Sequence, residues 1–561
     1  MTTARTGAEY VAEALEQYGV KHFFGNPGTT ELPVVQALSE SSIEYVLGLH
    51  EDVAVGMASG YARTRRFHSH HDDQVNPIGI ANLHVAPGLA HGIGNVIGAY
   101  FAGSPLLVTA GNHSTDFQHE EPILSGDLEA MVHQYTKWSA EVKSVDALPT
   151  MLRRAIRYAL TPPTGPVFLG LPLDVMLDET DREVERLGPI PSAGRGDAES
   201  IAAAASEIAD ATEPVIITGD EIARSGPEAV DAAVSFAEAS GARVHGEFLP
   251  GEVNFPMGHP QWGHHVPGTE NQFAELVDTD TVVLVGCSSL TTSIRHEEPL
   301  FAPETTIIQI GPNPRELGKN RPADISVLGD PGAVMSELAV ELESRISADE
   351  RQTRIETARE AIKAFSEQQR PAGTNDDDPR ASKDELGQAM FESASDAFLV
   401  NEGVTSGRAV RWHVPYGPEG KIANKSGGLG YGLPAAVGAA IAERERPESR
   451  DVVAFIGDGS YFYYPQSIYS AVRYDVDLTV VVADNRNYRI LKDNTLRVLG
   501  GSEDEHDFVG MDFEPALNIS KNAESYGANG RIVKSASEIT SAITDGRQQD
   551  GTTVLDVLVH D

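Results

Sequence analysis

The chain has one cysteine, Cys287, among 561 residues. A single thiol forms no internal disulfide and builds no zinc site alone, which points to a reducing compartment, the cytoplasm. Long apolar runs are also missing. No stretch of about 18 uncharged apolar residues occurs, so no membrane span is expected. The opening MTTARTGAEYVAEALEQYGV lacks the apolar core of a signal peptide and patterns as an amphipathic helix. Basic residues are scarce: 43 Lys and Arg stand against 83 Asp and Glu, a net charge of −40. Phosphate backbones need basic patches, so nucleic acid is not an expected partner. The acid is spread along the whole chain, and Arg outnumbers Lys. Self-repulsion of this size is tolerable where salt screens it, the Debye length falling to about 3 Å at 1 M. A halophilic source is the expectation, and an ordinary acidic cytoplasmic enzyme is the alternative.

What is present is a repeated alternation of helix and short β run. At about 100–200 residues per domain the length suggests three or four domains. Residues 1–188 carry KHFFG, EYVLGLH, PIGIANLHV, SPLLVTAG and GPVFLGLP; residues 195–345 carry PVIITGD, ARVHGEF, TVVLVGC and TTIIQIG. A charged segment, 346–385, reads as a helix and a solvated linker. Residues 386–561 carry AFLVNEG, VVAFIGDG, LTVVVADN and TTVLDVLVH. Alternation of this kind predicts an α/β protein of three doubly wound parallel-sheet domains. In such sheets ligands sit beyond the carboxyl ends of the strands, so functional residues belong just after the β runs.

Two strand ends in the last block carry polar residues. Asp458 follows VVAFIG between Gly457 and Gly459, and Asn485 follows LTVVVAD 27 residues later. One strand–helix–strand crossover fits that spacing. A carboxylate, an amide oxygen and nearby carbonyls form a hard oxygen site suited to Mg²⁺ or Ca²⁺ shared with phosphate. Helix capping and turn formation explain the same residues equally well. GDGS followed by DNRNY resembles the GDG…NN signature of thiamine diphosphate enzymes. The resemblance implies that Asp458, Asn485 and Asn487 bind Mg²⁺. Asp484 stands where that family usually has Asn, which adds negative charge near the diphosphate.

Toward the N-terminus, FFGNPGTTELP is a strand end, a Gly/Pro turn and a helix start. LGLHEDVAVGMASGYAR places His50 and Glu51 where a strand gives way to a helix, and a carboxylate there is favoured by the helix dipole alone. NLHVAPG puts His84 at a strand end, where a hydrogen-bonded structural role is also open. Together these segments resemble the pyrimidine-binding domain of the same family, and within it benzoylformate decarboxylase. The resemblance implies that Glu51 protonates N1′ of the aminopyrimidine. It makes Thr29 a holder of the substrate carboxylate and His84 an active-site histidine, with Asn26, Pro27 and Gly28 lining the cofactor. A second active-site histidine of that enzyme falls at Ser293 here, with His296 three residues on; either His296 takes over that role, or the protonation step and the substrate differ.

NKSGGLGYGLPAAVGAAIAE begins Gly-rich and continues as an Ala-rich helix. It lacks the full dinucleotide-loop pattern. In the resembled family Gly427 meets the cofactor's amino group, Gly428 lies beside it, and Leu429 props its bent conformation. Thr405, Gly457, Gly459, Ser460, Tyr461 and Tyr488 are the remaining expected cofactor contacts. FHSHHDDQ, with His68, His70 and His71, is expected to be a solvated surface loop. The expected activity is decarboxylation of a small-molecule 2-oxo acid to CO₂ and an aldehyde through an enamine. An acetolactate synthase-type carboligase and a non-catalytic cofactor-binding homologue are the alternatives. The synthase branch often carries FAD, which no motif here supports. The resemblance also implies a homodimer at minimum and a homotetramer as the expected assembly. If charge screening is needed for folding, Tm rises steadily from about 0.1 M to about 2 M KCl. A Tm indifferent to salt in a thermal melt contradicts the halophilic expectation.

Overall fold

In the computed structural model the strands assemble into three six-stranded sheets and one two-stranded pair. The structure describes residues 4–268, 270–287, 298–369 and 378–561. Ser293 and His296 lie outside them. The first sheet has the order Glu44–Leu47, His22–Gly25, Gly79–Leu83, Leu106–Asn112, Val167–Pro172, Ser139–Glu141. The third has the order Lys421–Ala423, Phe398–Glu402, Val452–Gly457, Leu478–Asp484, Thr552–Leu558, Asn529–Val533. With strands counted in chain order within each domain, both sheets run 2-1-3-4-6-5. The middle sheet runs 3-2-1-4-5-6, from Trp262–His265 through Val215–Thr218 to Ile325–Leu328. The neighbouring strands pair in parallel, for example Val453 opposite Thr479 through Gly457 opposite Ala483. Apolar runs such as VVAFI and LTVVVA are buried on both faces, as a helix-covered parallel sheet requires.

The chain divides into two compact units. One contains the first and third sheets, and the other contains the middle sheet with the helices Pro331–Arg345 and Ala348–Gln369. Within the first unit, the helices Glu51–Ser69 and Gly432–Glu443 cross at glycines. A Cβ on Gly60 would collide with the Ala435 backbone, and one on Gly438 with the Met57 carbonyl. Arg63 is fully buried on the first of these helices. Its guanidinium donates to the Ala423 carbonyl at 2.8 Å and to the Tyr431 hydroxyl at 2.9 Å. Among the described residues, no helix is long and apolar enough to cross a membrane.

One expectation is corrected here. The start of FHSHHDDQ is not a solvated loop, because the Glu51–Ser69 helix runs through it with Phe67 and His68 buried. His68 Nε2 lies 3.1 Å from Glu443 Oε1. Burial would raise the Glu443 carboxyl, but bonds from His68 and Arg450 hold it down at about 2. Only His71–Gln74 is exposed. Gly60→Ala should destabilise the protein by about 1–3 kcal/mol through overpacking at the crossing. An unchanged urea midpoint contradicts that contact.

Candidate active site

The strand order reverses twice in the first unit. In the first sheet the switch lies between His22–Gly25 and Gly79–Leu83, and in the third between Phe398–Glu402 and Val452–Gly457. Crevices form at such points, beyond the carboxyl ends of the strands. Asn26–Thr30 and His84 follow the first pair of strands. Thr405 and Asp458 follow the second.

At the first point Glu31, which sequence reasoning missed, organises the turn. It is 1% exposed. Its Oε2 accepts from the Gly28 amide at 3.0 Å and lies 2.7 Å from His84 Nδ1. Its Oε1 accepts from the Gly111 amide at 2.8 Å and from the Thr30 hydroxyl at 2.7 Å. A carboxylate acceptor at Nδ1 assigns the proton to that nitrogen and leaves Nε2 of the neutral ring basic. A Cβ on Gly28 would overlap the His84 ring, so glycine is required by close approach. Thr29 is exposed, whereas Thr30 is buried. The G-x-x-E spacing of Gly28 and Glu31, a capping-box interval, was the available signal.

Glu51 opens its helix, with His50 as N-cap: His50 Nδ1 accepts from the Asp52 amide at 3.1 Å. The Glu51 side chain is mostly buried, and His91 Nδ1 lies 3.3 Å from its Oε2. Ligand atoms of His50, Glu51 and His91 all fall within 4.8 Å of one another, a set that could hold a metal. The His50 N-cap bond argues otherwise. It leaves the proton on His50 Nε2, so that ring offers a metal no free lone pair. Burial further lowers the pKa of His50. Asp52 accepts from the Asn95 amide at 2.7 Å, and burial raises its pKa to about 7.

At the second point, Asp458 Oδ1 accepts from the Gly459 amide at 2.8 Å and Oδ2 from the Arg486 amide at 2.7 Å. Burial and then the adjacent Asp484 carboxylate raise the Asp458 pKa. Burial and Asp484 likewise raise Asp556 on the next strand. Carboxylates pressed together in a buried place need a proton or a cation. Arg486 sits at φ +59, in the left-handed region, which tightens the turn. Asn485 Nδ2 and Asn487 Nδ2 donate to the Asp561 carboxylate at 2.8 and 2.9 Å. Their amide oxygens are thereby left to accept, and Asn487 Oδ1 is buried without a partner. This oxygen-only set fits Mg²⁺. A Cβ on Gly427 or Gly457 would enter open space, a cradle that fits a ligand's close approach.

Three family models match the chain in order: the N-terminal thiamine pyrophosphate (TPP) binding domain of thiamine pyrophosphate enzymes at residues 5–137, the central domain at 201–338 and the C-terminal TPP binding domain at 406–557. The chain belongs to the thiamine pyrophosphate enzyme family. It is 29% identical over 580 residues to a "Probable acetolactate synthase large subunit" of Methanocaldococcus jannaschii, covering 99% of this chain and 92% of that one. It is 27% identical to a benzoylformate decarboxylase of Pseudomonas aeruginosa, covering 97% of each. The solved benzoylformate decarboxylase of Polynucleobacter necessarius superposes with a TM-score of 0.85 at 27% identity over 99% of both chains.

Other expected contacts of this thiamine pyrophosphate enzyme are placed as follows. Thr405 lies in the turn before helix Gly407–His413, and Ser460 is buried in the turn opened by Asp458. The Tyr461 ring is fully buried, and its hydroxyl donates to Asn522 at 2.9 Å. Tyr488 packs edge-on against Phe513 at 4.8 Å, over Gly459. Asp52 gives a pH prediction. The folded chain holds its proton up to about 7, while the unfolded chain releases it near 4. Its contribution is therefore complete below about pH 4 and lost as pH rises to about 7. Asp52→Asn should gain Tm relative to the parent across that window. A Tm difference independent of pH contradicts the buried acid.

Proposed function

We propose that the chain catalyses Mg²⁺-dependent, thiamine diphosphate-dependent, non-oxidative decarboxylation of a 2-oxo acid, releasing CO₂ and an aldehyde. The observation that carries this reading is His84, held through Nδ1 by the buried Glu31 at 2.7 Å. The arrangement leaves a basic Nε2 at a strand end for proton transfer to or from a substrate. Bound thiamine diphosphate supplies the electron sink for the carbanion left as CO₂ departs. Asp458, Asn485 and Asn487 would hold Mg²⁺, and Thr405, Gly457, Gly459, Ser460, the Tyr461 amide and Tyr488 would face the diphosphate side. Glu51 would hold and move a proton at N1′ of the pyrimidine. Asn26, Pro27 and Gly28 would border it, and Gly427, Gly428 and Leu429 would lie beneath the thiazolium, with the Gly427 carbonyl at the 4′-amino group. Thr29, exposed in the turn, would hold the substrate carboxylate. The reading takes a homodimer as the smallest working unit and a homotetramer as the assembly.

Carboligation of the acetolactate synthase type is the second reading, favoured by the relative of that name at 29% identity. Screening aryl and alkyl 2-oxo acids for CO₂ and aldehyde in high salt separates the two. Acetolactate from pyruvate, with a yellow purified protein, supports the second. Glu51→Gln should leave the cofactor bound and slow deuterium exchange at its C2 position by about 10²-fold or more. Parent-like exchange in that variant overturns the role of Glu51.

A further inference from the structure

Glu402 ends the strand Phe398–Glu402 and is 4% exposed. Its Oε1 accepts from Asn424 Nδ2 at 2.6 Å and from the Tyr431 amide at 3.1 Å. Its Oε2 accepts from the Gly432 amide at 2.8 Å. Among the described residues no cation pairs with it; burial raises its pKa to about 7, and the N–H donors on both oxygens are what hold it down. Asn424 extends the arrangement into the loop. Its Oδ1 accepts from the Ser426 amide at 3.0 Å and the Gly427 amide at 3.3 Å, and its Nδ2 also reaches the Gly428 carbonyl.

One carboxylate and one amide thus hold both ends and the middle of the segment 424–432. The other side of that segment is open. Gly427 and Gly428 are exposed, and a Cβ on Gly427 would meet nothing within 4 Å. Gly427 and Gly430 sit at φ +76 and +99, left-handed conformations that glycine adopts freely. A carboxylate is an expensive group to bury without a cation. Its three converging donors, Asn424 Nδ2 and the Tyr431 and Gly432 amides, all come from this one segment.

We propose that Glu402 is a positioning residue: through Asn424 it sets where the Gly427–Leu429 backbone meets the pyrimidine of the cofactor, without touching the cofactor itself. The inference rests on the proposed function for what the loop faces, but the anchoring is a property of the cofactor-free chain. Glu402→Gln keeps the shape and forces an amide N–H₂ against backbone or Asn424 N–H donors.

The test has two readouts. In cofactor-free protein, hydrogen exchange of the 424–432 amides should quicken by about tenfold or more in Glu402→Gln. In the holoenzyme, deuterium exchange at C2 should slow by about 10–10²-fold, while thiamine diphosphate affinity changes by less than about threefold. Adding Asn424→Asp to Glu402→Gln restores a donor facing an acceptor and should recover part of both effects. Unchanged amide exchange overturns the proposal. So does a loss of C2 exchange that only tracks a loss of Tm and cofactor affinity. Should Glu402→Gln not fold, Asn424→Ala, at a half-buried site, removes the link to Gly427, and parent-like exchange in both readouts overturns the proposal. If the parent holoenzyme itself shows no C2 exchange, the proposed function falls, and amide exchange in the cofactor-free protein still decides the role of Glu402.

Discussion

Two carboxylates, Asp458 and Asp484, are buried side by side at the ends of adjacent parallel strands. Like charges in low dielectric repel strongly, and several kcal/mol of desolvation adds to that for each ion. A protonated pair or a bound cation resolves the conflict. The surroundings fit a cation. The Arg486 turn is wound left-handed, Asp561 takes the amide N–H groups of Asn485 and Asn487, and the Asn487 amide oxygen is buried without a donor. Gly457 leaves one side of Asp458 open, while the Tyr488 ring covers Gly459 on the other.

The same strand order carries two kinds of side-chain cluster. At the first switch point the chain pairs acids with histidines, Glu31 with His84 and Glu51 with His91. At the second it assembles hard oxygens and glycines. The helices after Glu51 and after the Gly-rich loop cross at glycines, and buried Arg63 ties the first helix to both ends of that loop. Rigid packing of this sort is what holds catalytic groups to the small tolerances that proximity demands.

The sheet plan was legible because it rests on local signals: apolar runs of strand length, glycine turns, and polar residues just past the runs. Asp458, Asn485 and His84 could be placed just past strand ends, and Glu51 at a helix start, for the same reason. Glu31 was not found although its Gly28 bond is local, because His84 and Gly111 lie 53 and 80 residues away; His91 and Glu402 were not found because Glu51 and Asn424 lie 40 and 22 residues away. The His68 segment was misplaced because its burial depends on Glu443, 375 residues away. Thr29 and Thr30 could not be told apart by pattern, since a single tight turn decides which hydroxyl is buried.

In the proposed function a divalent cation and a diphosphate share the Asp458 end of the third sheet. Calorimetric titration of thiamine diphosphate into chelator-treated protein, with and without Mg²⁺, tests this. Affinity should be at least about tenfold higher with Mg²⁺, and Mg²⁺ bound more tightly by the same factor when thiamine diphosphate is present, as linkage requires. Equal affinity with and without the metal would contradict it.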